Sequence, residues 1–167
     1  MKIFIFLFLS VSFLFSAEVF VKNKHAFYIN NKSVSFIGNK YIVIDLDDGI
    51  GHFYAFNKKG SLFLSGIISA GNPEKGNTTP QGVFSILVKK KFHMSSLYPD
   101  GDGNNNMNDM LKITNSGIAL HKGNVDYYSH GCIHIQPNKS RKLFNWADKS
   151  TKIIITNDSF KDYFDSF

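Results

Sequence analysis

The sequence predicts a mainly β fold, a β-sandwich or a related mixed sheet with one or two short helices. Short runs of β-branched, apolar and aromatic residues recur along the chain, and turn-forming residues separate them. Only Ser140–Ala147 has apolar residues at helical spacing, and Asn138 is its expected N-cap. Several short strands with one clear helix are typical of this fold class.

The predicted strands begin at Tyr41 and end at Ile155. The first is a β-branched run that ends at the turn Asp47–Gly49, and a hairpin turn at Asn57–Gly60 joins the second to the third. The predicted strands are residues 41–46, 52–56, 62–68, 82–88, 117–121 and 153–155. No repeat or low-complexity linker divides them, so we expect one compact domain.

The first 17 residues have the layout of a secretory signal peptide. Lys2 supplies a positive charge, Ile3–Phe15 is apolar apart from two serines, and cleavage is expected between Ala17 and Glu18. The apolar stretch is shorter than the ~20 residues that a membrane-spanning helix needs. An uncleaved N-terminal anchor is the alternative, because Phe15 is bulky where cleavage sites favour a small residue. We expect an exported protein of the periplasm or cell envelope, with no stable membrane span after signal removal.

The chain is basic, with a formal net charge of +6. Its lysines are scattered or located in turns, which is typical of a solvated surface rather than of a nucleic-acid-binding stripe. A basic surface would suit an anionic cell-wall environment. We therefore expect no nucleic-acid partner, and we expect a monomer.

A long polar segment, Tyr98–Asp109, interrupts the strand pattern. Its aspartates at positions 100 and 102 imitate the opening of a calcium loop. However, Asn105 stands where such a loop needs glycine and Leu111 where it needs glutamate. We exclude calcium and expect a lid or binding loop, because long loops in compact domains commonly serve those purposes.

The single cysteine, Cys132, is the first candidate for chemistry. One cysteine in an exported chain cannot form an intrachain disulfide. It is either a small buried apolar residue or a reactive thiolate. Gly131 precedes it, and His130 and His134 flank it at two residues on either side, which favours the reactive thiolate. Each of these two histidines could instead be structural, with a hydrogen bond to a loop carbonyl.

His121 is the candidate base, eleven residues before the thiol at the end of a predicted strand. A turn through Gly123–Asn124 could bring the two strand ends side by side. The histidine would then accept the thiol proton, and the thiolate would attack a carbonyl. Backbone N–H groups around Gly131 and Cys132 could bind the resulting oxyanion. No Asp or Asn is compelling as a third member, and a backbone carbonyl could orient the imidazole.

Metal binding is the rival chemistry for these side chains. His121, His130, Cys132 and His134 could surround zinc or copper. Three of the four alternate along one strand, however, which would crowd a tetrahedral site. We therefore expect neither a metal nor another cofactor. The remaining histidines stand alone in the sequence and are expected to be structural; they are His25, His52 and His93.

Three segments resemble, in order, the motifs of one enzyme family. Thr79–Phe84 resembles a Thr-Pro-x-Gly-x-Phe segment, Gly117–His121 resembles a strand that ends in a catalytic histidine, and Ser129–Cys132 matches a nucleophile motif. The family that shares these motifs is the L,D-transpeptidase catalytic domain of the YkuD type, whose members are cysteine enzymes that cross-link bacterial peptidoglycan. The resemblance divides the chain into a signal peptide 1–17, an N-terminal segment 18–39, a catalytic domain 40–156 and a C-terminal tail 157–167.

The resemblance implies a role for each motif residue. Cys132 corresponds to the nucleophile and His121 to the proton donor and acceptor, with the backbone carbonyl of Lys122 orienting the imidazole. The residues that correspond to the oxyanion pocket and its loop are Ser129, His130 and Gly131.

Two positions depart from the pattern of many members. Lys122 replaces a glycine, although a backbone carbonyl needs no particular side chain. His134 replaces a common arginine, and an imidazole cannot clamp a carboxylate bidentately as a guanidinium can. We expect His134 to contact the substrate, and its alternative role is that of a structural strand residue.

The resemblance implies a reaction on peptidoglycan tetrapeptide stems through an acyl-enzyme thioester. An acceptor amine would give a 3-3 cross-link or attach a wall-bound protein. Water as acceptor would make the protein an L,D-carboxypeptidase that trims the same stems. A peptidoglycan-binding module with a dead site is the alternative outside catalysis.

Overall fold

The computed structural model of the chain describes residues 26–29, 32–35, 38–46, 50–96 and 105–157. Three predicted parts of the chain lie wholly or largely outside the described residues. They are the signal peptide, residues 98–104 of the polar segment and most of the C-terminal tail. Within the described ranges, no helix is long and apolar enough to cross a membrane. A short antiparallel hairpin precedes the main sheet, formed by β1 (Ala26–Ile29) and β2 (Lys32–Ser35).

Nine further strands form one mixed sheet. They are β3 (Tyr41–Asp45), β4 (Ile50–Phe56), β5 (Leu62–Ser69), β6 (Gly82–Ser85), β7 (Val88–Lys90), β8 (Met110–Lys112), β9 (Ala119–Lys122), β10 (Ile133–Ile135) and β11 (Lys152–Thr156). Their order across the sheet is β6-β11-β3-β4-β5-β10-β9-β8-β7. Two neighbouring pairs are parallel, β3 with β11 and β9 with β10, and the others are antiparallel. The prediction of a mainly β, mixed-sheet fold is confirmed.

The sheet curls until its two edges approach each other. β6 and β7 lie at opposite ends of the strand order, although only residues 86 and 87 separate them in the chain. The prediction of one continuous strand over residues 82–88 is therefore wrong. Within this apolar run the chain crosses from one edge of the sheet to the other, and Ile86 is buried at the crossing.

One α-helix, α1 (Pro137–Trp146), follows β10 and packs against β5 and β9. It begins three residues earlier than predicted, because Pro137 is its first residue and the fixed φ of proline suits that position. The expected cap at Asn138 is wrong: the N-cap is Gln136, and its side chain makes no capping hydrogen bond. The helix ends at Trp146, where Ala147 adopts an extended backbone.

The main hydrophobic core lies between the helix and one face of the sheet. β10 contributes Ile133 and Ile135, the helix contributes Leu143, and all three side chains are almost fully buried. Burial of each such side chain contributes roughly 1.5–3 kcal/mol. His134 lies between the two isoleucines and is only half-buried, because alternate strand residues point to opposite faces. The second face of β10 is thus left free for other chemistry.

Candidate active site

The two parallel strands β9 and β10 carry the predicted catalytic residues on one face. His121 on β9 pairs with His134 on β10. Cys132 directly precedes β10, and extending the same register by one residue sets it beside Ala119. Residues two apart on a strand share a face, so Cys132, His134 and His121 project away from the core. The predicted turn through Gly123–Asn124 would set the end of the His121 strand beside Cys132; the parallel register instead pairs His121 with His134 and leaves Cys132 beside Ala119.

These side chains open into a cleft of about 310 Å³. Of the predicted site residues, Cys132, His121, Lys122, Ser129, His130 and His134 line it. Gly131 does not line this cleft and is buried in the loop behind the thiol. The described end of the polar segment also reaches the cleft through Asn105, Asn106 and Met107.

Two basic residues of the cleft wall were missed by sequence reasoning. His93, expected to be structural, lines the cleft. Lys112 also lines it, from β8, a three-residue strand that the sequence pattern did not predict. Neither position has a local sequence signal: Lys112 reaches the cleft through the pairing of β8 with β7 and β9, and His93 lies in a loop, where its carbonyl oxygen accepts the Met107 N–H. His52 lies on β4, outside the cleft lining, and His25 lies outside the described residues.

The His121 ring is held by the backbone carbonyl of Lys122. Its Nδ1 lies 2.9 Å from that oxygen, which is the contact that the family resemblance implies. A carbonyl only accepts hydrogen bonds, so Nδ1 carries the proton and Nε2 is left as an acceptor. Burial, and next the nearby His134, lower the pKa of His121 to about 4, and the Lys122 hydrogen bond only partly opposes them. At neutral pH the imidazole is therefore uncharged and able to accept a proton.

The thiol of Cys132 is protonated at neutral pH. Burial raises its pKa above the ordinary value, and a hydrogen bond with the Ala119 backbone opposes that rise. Its Sγ also faces the carbonyl oxygen of Gly117 at 4.0 Å. The thiol and His121 are both neutral, so a thiolate at this position forms by proton transfer to a base and is not the resting state.

His134 is tightly packed by its neighbours. Its Nδ1 lies 2.8 Å from the Asn124 carbonyl oxygen, and its ring meets the His121 ring edge-on at 4.9 Å between centroids. A Cβ added at Gly123 would lie 2.6 Å from His134 Cγ, so the imidazole occupies the space that a side chain would fill. Burial lowers the pKa of His134 below its ordinary value. These contacts favour the structural interpretation of His134 and leave it uncharged at neutral pH.

The loop before the thiol is held by hydrogen bonds of Ser129. Its Oγ donates to the Cys132 carbonyl oxygen and accepts the Gly131 N–H at 3.0 Å. Its own N–H donates to the Ala70 carbonyl oxygen at 2.8 Å. The Gly131 N–H is thus already engaged, which leaves the Cys132 N–H as the remaining candidate of the two predicted oxyanion donors. His130 is exposed at the rim.

Thr79 connects the first motif to the loop that precedes Cys132. Its hydroxyl accepts the Gly71 N–H and donates to the Gly131 carbonyl oxygen, each at 2.9 Å. Gly131 has φ 113°, a conformation that favours glycine, and an added Cβ would meet Ile118 Cδ1 at 3.0 Å. The buried Thr79 therefore fixes the backbone conformation just before Cys132, a role that the sequence motif alone does not reveal.

Within the ranges that the structure describes, no group of three or more His, Cys, Asp or Glu side chains is arranged to hold a metal ion. The four residues of the rival metal site include two histidines whose Nδ1 atoms meet backbone carbonyls. The arrangement is chemically suited to proton transfer between a thiol and an imidazole.

The matches among known proteins all point to one family. A model of the L,D-transpeptidase catalytic domain, YkuD, matches residues 39–155. No curated protein matches the sequence. An L,D-transpeptidase from Stackebrandtia nassauensis is 22% identical, with a TM-score of 0.60, over 72% of this chain and 56% of that one. The C442S mutant of Enterococcus faecium L,D-transpeptidase is 21% identical, with a TM-score of 0.58, over 75% of this chain and 55% of that one.

A third structure is of a catalytic domain alone. The catalytic domain of the Enterococcus faecium enzyme acylated by ertapenem is 23% identical, with a TM-score of 0.52, over 72% of this chain and 98% of that one. The chain thus spans a little over half the length of the first two structures and nearly all of this domain. At these identities the structures establish a shared fold, and the family model covers all three motifs and the nine-stranded sheet except for its last residue, Thr156. The chain belongs to the L,D-transpeptidase catalytic domain family.

Proposed function

We propose that this protein is an L,D-transpeptidase in which Cys132 is the nucleophile and His121 the base. One observation carries the proposal: the two residues share one face of the parallel pair β9/β10 and one cleft, with Nε2 of His121 left as the proton acceptor. General base catalysis of this kind contributes roughly 10²–10⁴ in rate.

The first half of the reaction forms a thioester. Nε2 of His121 takes the Sγ proton of Cys132, and the thiolate attacks the carbonyl at the L-centre of diaminopimelate in a tetrapeptide donor stem. The oxyanion of the tetrahedral intermediate accepts a hydrogen bond from the Cys132 N–H. The C–N bond then breaks, His121 gives its proton to the departing amine, and D-alanine leaves.

The second half returns the enzyme to its resting state. An acceptor amine attacks the thioester carbonyl, and His121 takes a proton from it. The C–S bond breaks, an amide bond remains in the product, and the proton passes to the sulfur of Cys132. An amine on a second stem gives a 3-3 cross-link, and an amine of a wall-bound protein attaches that protein. If water takes the amine's place, the product is a shortened stem.

The same proposal covers where the protein acts. Its partner is the stem peptide of peptidoglycan, with no nucleic acid involved, and the site works as a monomer because one chain supplies the whole catalytic pair. The reaction takes place in the periplasm or cell envelope after export through the sequence 1–17. The family acts on peptidoglycan of the cell wall, which supports this location.

The test is incubation of the purified protein with tetrapeptide donor stems, with and without an amine acceptor. We expect release of D-alanine together with a cross-linked dimer, detected by chromatography and mass. Cys132→Ala is the matched control, since it removes one sulfur atom and little volume. Shortened stems without dimers would assign the carboxypeptidase activity instead. Stems bound but unchanged by the parent protein would assign the binding module.

A further inference from the structure

The cleft that holds the catalytic pair is lined by cations and has no acid among the residues that the structure describes there. Two lysines, Lys112 and Lys122, line it together with four histidines. The pKa values of His121 and His134 are lowered by burial, so these two rings add no charge at neutral pH. The fixed positive charge at the cleft thus comes from the lysines. A concave site of one charge sign favours ligands of the opposite sign.

Lys122 is the less suitable of the two cations. Its neighbour His121 points into the cleft, and successive strand residues point to opposite faces. The Lys122 side chain therefore leaves β9 on the face of Leu120, which belongs to the main core. Consistent with this, Lys122 also borders a shallower groove beside Pro137 at the start of α1. Its contribution to the catalytic face is the backbone carbonyl that holds His121.

Strand pairing puts Lys112 on the catalytic face. Lys112 on β8 pairs with Ala119 on β9, and Ala119 lies beside Cys132 in the extended register of β9 and β10. Directly paired residues share a face, so Lys112, Ala119 and Cys132 form one row. Two strand spacings separate the ends of this row, about 10 Å between backbones. The intervening Ala119 is small and buried, so it does not fill the space above the row.

Lys112 has no acidic partner within the described part of the chain, where the ion pairs are Lys40–Asp148 and Arg141–Asp109. His93, which also lines the cleft, has a pKa lowered by burial first and then by the charges of Lys90 and Lys112. Lys112 is a half-buried cationic residue at the wall of a substrate cleft whose described lining holds no compensating carboxylate. Such a group gains most from an anionic ligand.

We propose that Lys112 binds a free carboxylate of the donor stem and so makes the enzyme selective for donors in which that carboxylate is not amidated. The inference rests on the proposed function, because it names how the same cleft recognises its donor. It assigns to Lys112 the carboxylate contact that the sequence suggested for His134, whose ring is already held by Asn124 and Gly123. The carboxylate belongs either to the departing residue or to the side chain of the residue that carries the scissile carbonyl.

The test uses three synthetic donor stems: one with all carboxylates free, one amidated at the terminal carboxylate, and one amidated at the side-chain carboxylate. Each is assayed for kcat and KM with the parent, Lys112→Met and Lys112→Arg. Lys90→Met is the matched control, because it removes an equal charge from the adjacent strand β7 outside the cleft lining. Melting temperatures of all four proteins check that each is folded.

We expect amidation of one of the two carboxylates to lower kcat/KM of the parent by about tenfold or more, mainly through KM. Lys112→Met should show the same loss with the free donor and no further loss with the amidated one. Lys112→Arg and Lys90→Met should keep the parent's preference. The amidated position that matters identifies the source of the carboxylate.

Two results would overturn the inference. One is a Lys112→Met enzyme that still prefers the free donor as strongly as the parent does. The other is a parent enzyme that turns over all three donors equally. Either result leaves the proposed function intact, because turnover itself is observed. A parent that turns over none of the donors would instead contradict the proposed function.

Discussion

The described sheet contains two parallel strand pairs, and of these two only β9/β10 contributes residues to the cleft lining. In the pair β3/β11, Ile42 and Ile44 lie beside Ile153 and Ile155, and all four are almost fully buried. In the pair β9/β10, core residues alternate with His121 and His134. Parallel strands buried on both faces have continuous apolar sequences. The interrupted pattern of β10 therefore marks the strand whose second face borders the cleft.

The largest expected effect is a loss of activity when His121 is removed from the strand pair β9/β10. His121→Ala should lower kcat by roughly 10²–10⁴, because the thiol then lacks its base. Affinity for the donor stem should change little, since the imidazole acts on a proton rather than on the bound peptide. Steady-state kinetics and stem binding by calorimetry measure the two quantities. Near-parent turnover of His121→Ala combined with an inactive His130→Ala would transfer the base role to His130.

In the strand pair β3/β11, a substitution is expected to lower stability and to leave kcat almost unchanged. Ile153→Ala should lower the free energy of unfolding by about 2–5 kcal/mol, because it leaves a cavity in the main core. The kcat of the folded fraction should stay close to that of the parent, since β11 contributes nothing to the cleft lining. Denaturant unfolding and kinetics below the transition measure both. Ile153→Val is the graded control, and a loss of kcat without loss of stability would break the contrast.

The two pairs should also differ in their response to pH. His121 has a folded-state pKa of about 4, below the ordinary value of 6.5. The unfolded chain therefore binds a proton between these values that the folded chain does not, and stability falls as pH falls from 6.5 to 4. The shift corresponds to about 3 kcal/mol that is fully present above pH 6.5. Unfolding at pH 7 and pH 4 should show a loss in the parent and in Ile153→Val that is smaller by about 3 kcal/mol in His121→Ala, where the lowered pKa values of His134 and His93 still contribute.

The smallest effect is expected at Thr79, whose hydrogen bonds hold the loop before Cys132. Thr79→Val keeps the shape but leaves the Gly71 N–H and the Gly131 carbonyl without their shared partner. We expect a loss of about 1–3 kcal/mol in stability, because both groups are buried polar atoms. We also expect kcat to fall more than KM rises, since the loop before Cys132 loses its anchor. Thr79→Ser should restore both, and a Thr79→Val enzyme with parent-like kcat would show that the anchor is purely structural.

The sequence predicts the positions of Cys132 and His121 in the cleft better than it predicts the other residues of the cleft wall. Cys132 and His121 carry local signals, a lone cysteine in a glycine–histidine setting and a histidine at a strand end. Lys112 carries none, because β8 is only three residues long and owes its place to pairing with β7 and β9. The strands at residues 41–46, 52–56 and 62–68 were predicted within two residues of their observed ends, because each has a long β-branched or aromatic run.

The errors in the predicted strands and helix also arise where no local sequence pattern reports the structure. The break after Ser85 depends on the curl of the whole sheet, which no local pattern reports. The helix begins at Pro137 without a side-chain cap, so a search for a capping Asn, Ser or Asp misplaces its start. Thr79 was visible as part of a motif, but its two hydrogen bonds join segments that are far apart in the sequence.

The central claim is that the face shared by β9 and β10 generates a nucleophilic sulfur at Cys132. Its most direct test is intact mass and peptide mapping after brief exposure to a tetrapeptide donor or to ertapenem, which acylates the similar Enterococcus faecium domain. We predict a covalent adduct on Cys132, formed rapidly by the parent, slowly by His121→Ala and not by Cys132→Ala. Adduct formation by Cys132→Ala, or mapping of the acyl group to any other residue, would contradict the account.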